Sequence, residues 1–122
     1  MQDKVGRIAL VELFQSHAGS GGNFDDFPWQ PFRRGVHIYR IYGSATEGPS
    51  AALLKYEPGA SLPPHRHVGY EHLIVLQGSQ IDESGETHAG TLVVNPPGTT
   101  HRVRNDGPCV VLAIWERPVE FL

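Results

Sequence analysis

His65, Arg66 and His67 set two imidazoles one residue apart, and Glu71 follows four positions later. Side chains on an extended chain alternate faces with a period of two. His65, His67 and Glu71 share one parity, so an extended segment would aim all three at one side. Two neutral imidazole nitrogens and one carboxylate oxygen are donors suited to a divalent cation. A fourth donor has to come from another part of the chain, and His101 is the natural candidate. It follows Pro96-Pro97-Gly98-Thr99-Thr100, a turn-forming run that releases the chain into a new strand.

The elements around these residues read as strands. Gly and Pro punctuate the chain from position 28 onward, and the intervening segments are rich in Val, Ile, Leu and Tyr. That rhythm predicts an all-β sandwich or barrel. Strands are expected near 36–43, 50–57, 71–77, 79–83, 91–95, 101–105 and 109–116, with a hairpin turn over Asp82-Glu83-Ser84-Gly85-Glu86. Gly59, after Glu57-Pro58, and Gly98, after Pro97, stand where a turn needs positive φ or close backbone approach. Cys109 to Trp115 is apolar at seven consecutive positions, so both faces of that strand need cover. Read as a long exposed edge, it predicts a homodimer formed through sheet edges or exchanged terminal strands.

The amino-terminal part differs. Val5 to Phe14 is apolar enough for a strand or a short amphipathic helix. Ser16 to Asn23 (SHAGSGGN) has the composition of a flexible linker. We therefore divide the chain into an extension and linker over 1–30 and a barrel domain over 31–122. Phe24, Phe27, Trp29 and Phe32 are expected to anchor the return path by packing.

The two histidine-bearing stretches have a fixed grammar. The first runs Gly59, five residues, His65-Arg66-His67, three residues, Glu71, six residues, Gly78; the second runs Gly90, five residues, Pro96-Pro97-Gly98, two residues, His101, three residues, Asn105. Both match the paired signature motifs of the cupin superfamily without a gap, and the joint match over 59–105 is specific where an isolated His-X-His would not be. The resemblance implies a small jelly-roll β-barrel, or double-stranded β-helix, with an interior metal bound by His65, His67, Glu71 and His101. Within the superfamily, Pro64-His65-Arg66-His67, Asp82-Glu83-Ser84-Gly85 and Gly107-Pro108-Cys109 resemble the ChrR-type cupins, over residues 35–116. That group includes the sensory domain of a zinc-containing anti-sigma factor, and dioxygenases that cleave carbon–carbon bonds in β-diketones or hydroxyacetophenones. Some of those dioxygenases hold their ion with three histidines and no Glu.

Size and charge narrow the field. The 122 residues suit one domain with a core that needs no staples. No apolar run approaches the ~18 residues of a membrane span, and the start Met1-Gln2-Asp3-Lys4 does not read as a secretory signal. With one cysteine there is no intrachain disulfide, and a cytoplasmic protein is the simplest expectation. Net charge is −3, and the basic residues cluster only at Arg33-Arg34 and Arg102/Arg104, too few for a nucleic-acid footprint.

Of the other histidines, His72 should face away from the site, His88 should be exposed at a hairpin return, and His17 and His37 have no partner at ligand spacing. Cys109 reads as a small core hydrophobe, with no cation placed to activate it. Tyr39, Tyr56, Tyr70, Val75 and Val103 are aromatic or apolar groups near the motif strands, but parity cannot sort inside from outside across bulges.

Two functions follow. Three imidazoles and a carboxylate leave a divalent ion near net +1, and a six-coordinate ion would keep two positions open for a chelating substrate. One ion per subunit is expected. Iron would suit a dioxygenase acting on a small carbonyl compound, while manganese or nickel would polarise a carbonyl. Zinc prefers four ligands, which these donors would close, favouring a non-catalytic sensory or ligand-binding module. An anti-sigma role itself is disfavoured, since the resemblance implies a separate helical zinc domain and this chain has no Cys-X-X-Cys.

Overall fold

A computed structural model describes residues 7–10 and 24–122. After a short 3₁₀ turn at Phe24–Asp26, eleven strands follow: β1 Gln30–Arg33, β2 Val36–Tyr42, β3 Ser50–Tyr56, β4 Ser61–Arg66, β5 Glu71–Gln77, β6 Ser79–Asp82, β7 Gly85–His88, β8 Leu92–Asn95, β9 Thr100–Arg104, β10 Cys109–Trp115 and β11 Glu120–Phe121. They form a six-stranded sheet in the order β1-β2-β3-β10-β5-β8 and a five-stranded sheet in the order β11-β4-β9-β6-β7. Consecutive strands often change sheet, as β4 to β5 and β8 to β9 do, which is how a jelly roll wraps one core between two layers.

The seven expected strands are all present within a residue or two of their bounds. β1, β4, β7 and the two-residue β11 are additional to these. β1, β7 and β11 are short and lie at sheet edges, where propensity carries little signal, and β4 lies next to an edge with two prolines in its sequence.

Alternation builds the core. Val36 and Ile38 of β2, Leu73 and Val75 of β5 and Val111, Ala113 and Trp115 of β10 face inward, meeting Leu62 and Val103 from the other sheet. Each fully buried Val or Leu contributes about 1.5–3 kcal/mol to holding the layers together. The outer face of the larger sheet carries a second apolar group, where buried Phe27 and Leu53 pack with Leu10, Phe24, Trp29, Tyr39 and Leu112. Phe24, Phe27 and Trp29 thus anchor the chain by packing, as expected, whereas Phe32 packs on the inner group. Most of the expected extension and linker, including His17, lies outside the described residues.

The continuous apolar run of β10 needs a different reading from the one its composition suggested. β10 is not an edge: it lies between β3 and β5, paired along its length with both. Val111 and Ala113 are apolar because the core covers them, and Leu112 because the aromatic group outside covers it. Both edges of this strand are already paired, so it offers no free edge for a dimer.

Candidate metal centre

The segment carrying the first motif is not one extended strand. β4 ends at Arg66, residues 67–70 bend, and Glu71 begins β5 in the opposite sheet. His65 therefore enters the interior from one layer and Glu71 from the other. The parity argument therefore does not apply: the bend, and not alternation along one strand, brings these side chains to one interior. A register shift between Leu62 and His65 also lets both of those side chains point inward although their parities differ.

His101 on β9 lies directly across from His65 on β4, and their ring centroids are 4.6 Å apart. His67 closes the group, 5.3 Å from His65 and 4.8 Å from His101 between centroids. One nitrogen from each of the three rings lies within 4.8 Å of the other two. All three residues are buried. This arrangement could hold a metal ion.

What aims the rings is a set of outer acceptors. Nδ1 of His65 lies 2.9 Å from the Pro63 carbonyl, Nδ1 of His67 lies 3.1 Å from the Thr99 carbonyl and 3.0 Å from the Thr99 hydroxyl, and Nδ1 of His101 lies 2.9 Å from an Asp82 carboxylate oxygen. With Nδ1–H donating outward, each ring presents the lone pair of Nε2 to the interior. Nε2 of His67 and Nε2 of His101 are buried and have no hydrogen-bond partner. A buried polar atom left unpaired costs about 1–3 kcal/mol, so two converging orphans on neighbouring rings fit a cation that would engage both. Burial also holds the pKa of His65 below the ordinary imidazole value, keeping it neutral and available as a donor.

Glu71 sits beside this group against one of its members, with Oε1 3.2 Å from Nε2 of His67. Its carboxylate is clamped from both sides within its own sheet. Asn95 Nδ2 donates to Oε1 at 2.8 Å and Trp115 Nε1 donates to Oε2 at 2.6 Å. Asn95 on β8 and Trp115 on β10 both stand opposite Glu71 in the ladders, so one cross-strand row delivers both donors. Burial alone would push the carboxyl pKa up, but His67, Asn95 and Trp115 together outweigh it and hold the group below its ordinary value. Glu71 is therefore an anion, with lone pairs still free for a cation.

The turn glycines behave as their contexts predicted: Gly59 has φ +81°, and Gly98 has φ +90°. Asn105, the last residue of the second motif, is buried and structural, its amide oriented to donate to the Ser79 and Arg104 carbonyls. His72 and His88 face solvent, as expected. His37 is paired through Nε2 with Glu57 at 2.7 Å, a partner that strand pairing brings near and spacing did not reveal. Sequence reasoning missed Asp82, Asn95, Thr99 and Trp115. Asp82 and Thr99 read in the sequence only as turn residues, and nothing local marks Asn95 or Trp115.

The interior space by the histidines is small and is lined by Tyr56, Leu62, Val103 and Trp115 among others. Tyr39 packs on the outer face instead, and Tyr70 is exposed.

Comparison with known proteins agrees with the motifs. The profile of the ChrR cupin-like domain matches residues 17–120. The chain belongs to this cupin family. Its relatives include the anti-sigma-E factor ChrR of Cereibacter sphaeroides, 31% identical over 104 residues, covering 83% of this chain and 47% of that protein. Another is the rhicadhesin receptor of Pisum sativum, 31% identical over 91 residues, covering 65% of this chain and 42% of that protein. The cupin spans less than half the length of these two relatives. Among solved structures, an acetylacetone dioxygenase from Acinetobacter johnsonii superposes with a TM-score of 0.69 at 16% identity, covering 77% of this chain and 71% of that one. At that identity the likeness shows the shared fold.

Proposed function

We propose that this cupin holds one divalent metal ion through His65, His67 and His101, with Glu71 as the fourth donor, and acts on a small carbonyl compound as an enzyme of dioxygenase type. The observation that carries the reading is the pair of buried Nε2 atoms on His67 and His101 that make no hydrogen bond, with the Glu71 carboxylate 3.2 Å from the first of them. The three rings are already oriented by Pro63, Thr99 and Asp82, so little ordering would remain when an ion binds. The fold neighbour named as an acetylacetone dioxygenase and the three-histidine group favour this chemistry.

A bound ion of this kind supplies a Lewis acid for a carbonyl oxygen and, if iron, a redox partner for dioxygen. The residues contribute orientation and exclusion of water. Trp115 and Asn95 hold the Glu71 carboxylate in one position, and Asp82 fixes the His101 ring. Leu62, Leu73 and Val103 keep the surroundings apolar. Iron, zinc, manganese and nickel all suit a set of three imidazoles and a carboxylate.

A second reading is a non-catalytic metal-binding sensory module, favoured by the relationship to the anti-sigma-E factor over most of this chain. Purification without chelators, elemental analysis and an oxygen-uptake screen on diketones and hydroxyketones separate the two. Iron with uptake supports the enzyme; zinc without uptake supports the sensor. Full metal occupancy in each of the four single Ala variants would remove the site assignment itself.

We also propose a homodimer in the cytoplasm. Its support is now Leu92 and Val94, which stand 55% and 43% exposed on edge strand β8. Sedimentation of Leu92→Glu tests the interface: an unchanged dimer would rule this face out.

A further inference from the structure

Beyond the histidines, the larger sheet carries an inward-facing cation. Arg40 on β2 continues the row of Val36 and Ile38 and stands opposite Ala52 of β3. It lines a cavity of about 410 Å³ together with Arg33, Ile38, Ser50 and Trp115. Phe32, Trp115, Val119 and Phe121 border both this cavity and the small space at His65, Glu71 and His101, so the two adjoin.

The charge in the larger cavity is uncompensated. No Asp or Glu lines it among the described residues. Nη1 of Arg40 is buried without a hydrogen-bond partner. Arg33 is better placed, since its guanidinium lies 4.1 Å from the Phe121 ring centroid and donates to the Phe32 carbonyl at 3.1 Å. A buried guanidinium nitrogen left unpaired is costly, and the ligand that best repays the cost is a carboxylate taking two parallel N–H donors. Burial pulls the pKa of Arg40 down from its usual value, although a guanidinium stays charged at any physiological pH.

We propose that Arg40 is a specificity-determining residue that selects a substrate bearing a carboxylate separate from its carbonyl head, with Arg33 supporting it at the cavity wall. This rests on the proposed metal site for the carbonyl end, and it narrows the substrate class from neutral diketones to oxo acids with an anionic tail. The cavity size suits such a molecule, and its aromatic walls would cover the carbon chain between the two polar ends.

The test uses succinylacetone, a β-diketone with a carboxylate tail, against its methyl ester, which has the same chelating head and no charge. Isothermal titration of the full chain should give binding of the acid about tenfold tighter or more than the ester. Arg40→Gln should abolish that preference while metal content and the far-ultraviolet dichroism stay at wild-type levels, and Arg40→Lys should retain part of it. Because Arg40 is not among the proposed metal ligands, the preference should persist, at lower overall affinity, in protein stripped with chelator. Equal binding of acid and ester by the wild type, a preference that survives in Arg40→Gln, or no binding of either probe at millimolar concentration would overturn the proposal. Wild-type protein that never carries metal but keeps an Arg40-dependent preference would sink the metal reading and leave the carboxylate site standing.

Discussion

Asp82 and His101 lie nineteen residues apart and meet at 2.9 Å, carboxylate oxygen to Nδ1. The contact joins the end of β6 to β9 and aims the ring's other nitrogen at the interior. Removing the acceptor in Asp82→Ala frees the ring to turn, and metal affinity should fall about 10–100-fold. Asp82→Asn keeps an acceptor oxygen and should lose less. Competition with a chromogenic chelator measures both. Unchanged affinity in Asp82→Ala would mean that the ring needs no such support.

Trp115 should matter more for stability than its size alone suggests. Its indole N–H donates to the buried Glu71 carboxylate at 2.6 Å, and Trp115→Phe deletes that donor while keeping an aromatic ring. Leaving a buried anion short of one partner costs about 1–3 kcal/mol. Urea unfolding should show the midpoint falling at an unchanged slope.

Gly78 and Gly59 separate two costs of the same backbone conformation. Their φ angles are +76° and +81°. A Cβ on Gly78 would meet the Pro108 carbonyl oxygen at 2.1 Å, while one on Gly59 would meet nothing within 4 Å. Gly59→Ala should therefore cost about 1 kcal/mol from left-handed strain alone. Gly78→Ala should cost clearly more, because the Gly107-Pro108-Cys109 stretch must also shift. Equal losses in thermal or urea unfolding would contradict the packing described for that corner.

Cys109 sets an alkaline limit. Burial pushes its thiol up to about 12, whereas an unfolded cysteine titrates near ~8.5. The folded-state value is the higher one, so this contribution to stability is complete below about pH 8.5 and is lost as pH rises above it. The loss should approach about 1.4 kcal/mol per pH unit. Unfolding of wild type and Cys109→Ala, compared between about pH 8 and about pH 11, should show that excess slope only in the wild type. The native thiol should also resist alkylation near neutrality.

Much of the architecture was legible from local pattern. Gly and Pro spacing located the strands, because turns of positive φ or fixed φ need those residue types. β10 shows the limit: its apolar run announced two covered faces but not which neighbours cover them. Whether a strand is central or at an edge depends on pairing with segments far away in sequence, here β3 and β5.

The residues themselves determined the donor types, their motif spacing and the all-β character, since ligand chemistry and strand or turn preference are properties of side chain and local backbone. The tertiary structure alone decided how those donors converge. The bend at 67–70 moves the chain between sheets, and the β4–β9 ladder sets His101 opposite His65. It also decided that Asp82, Asn95, Trp115 and Arg40 belong near the site, because cross-strand register places them there and leaves no trace in their local sequence.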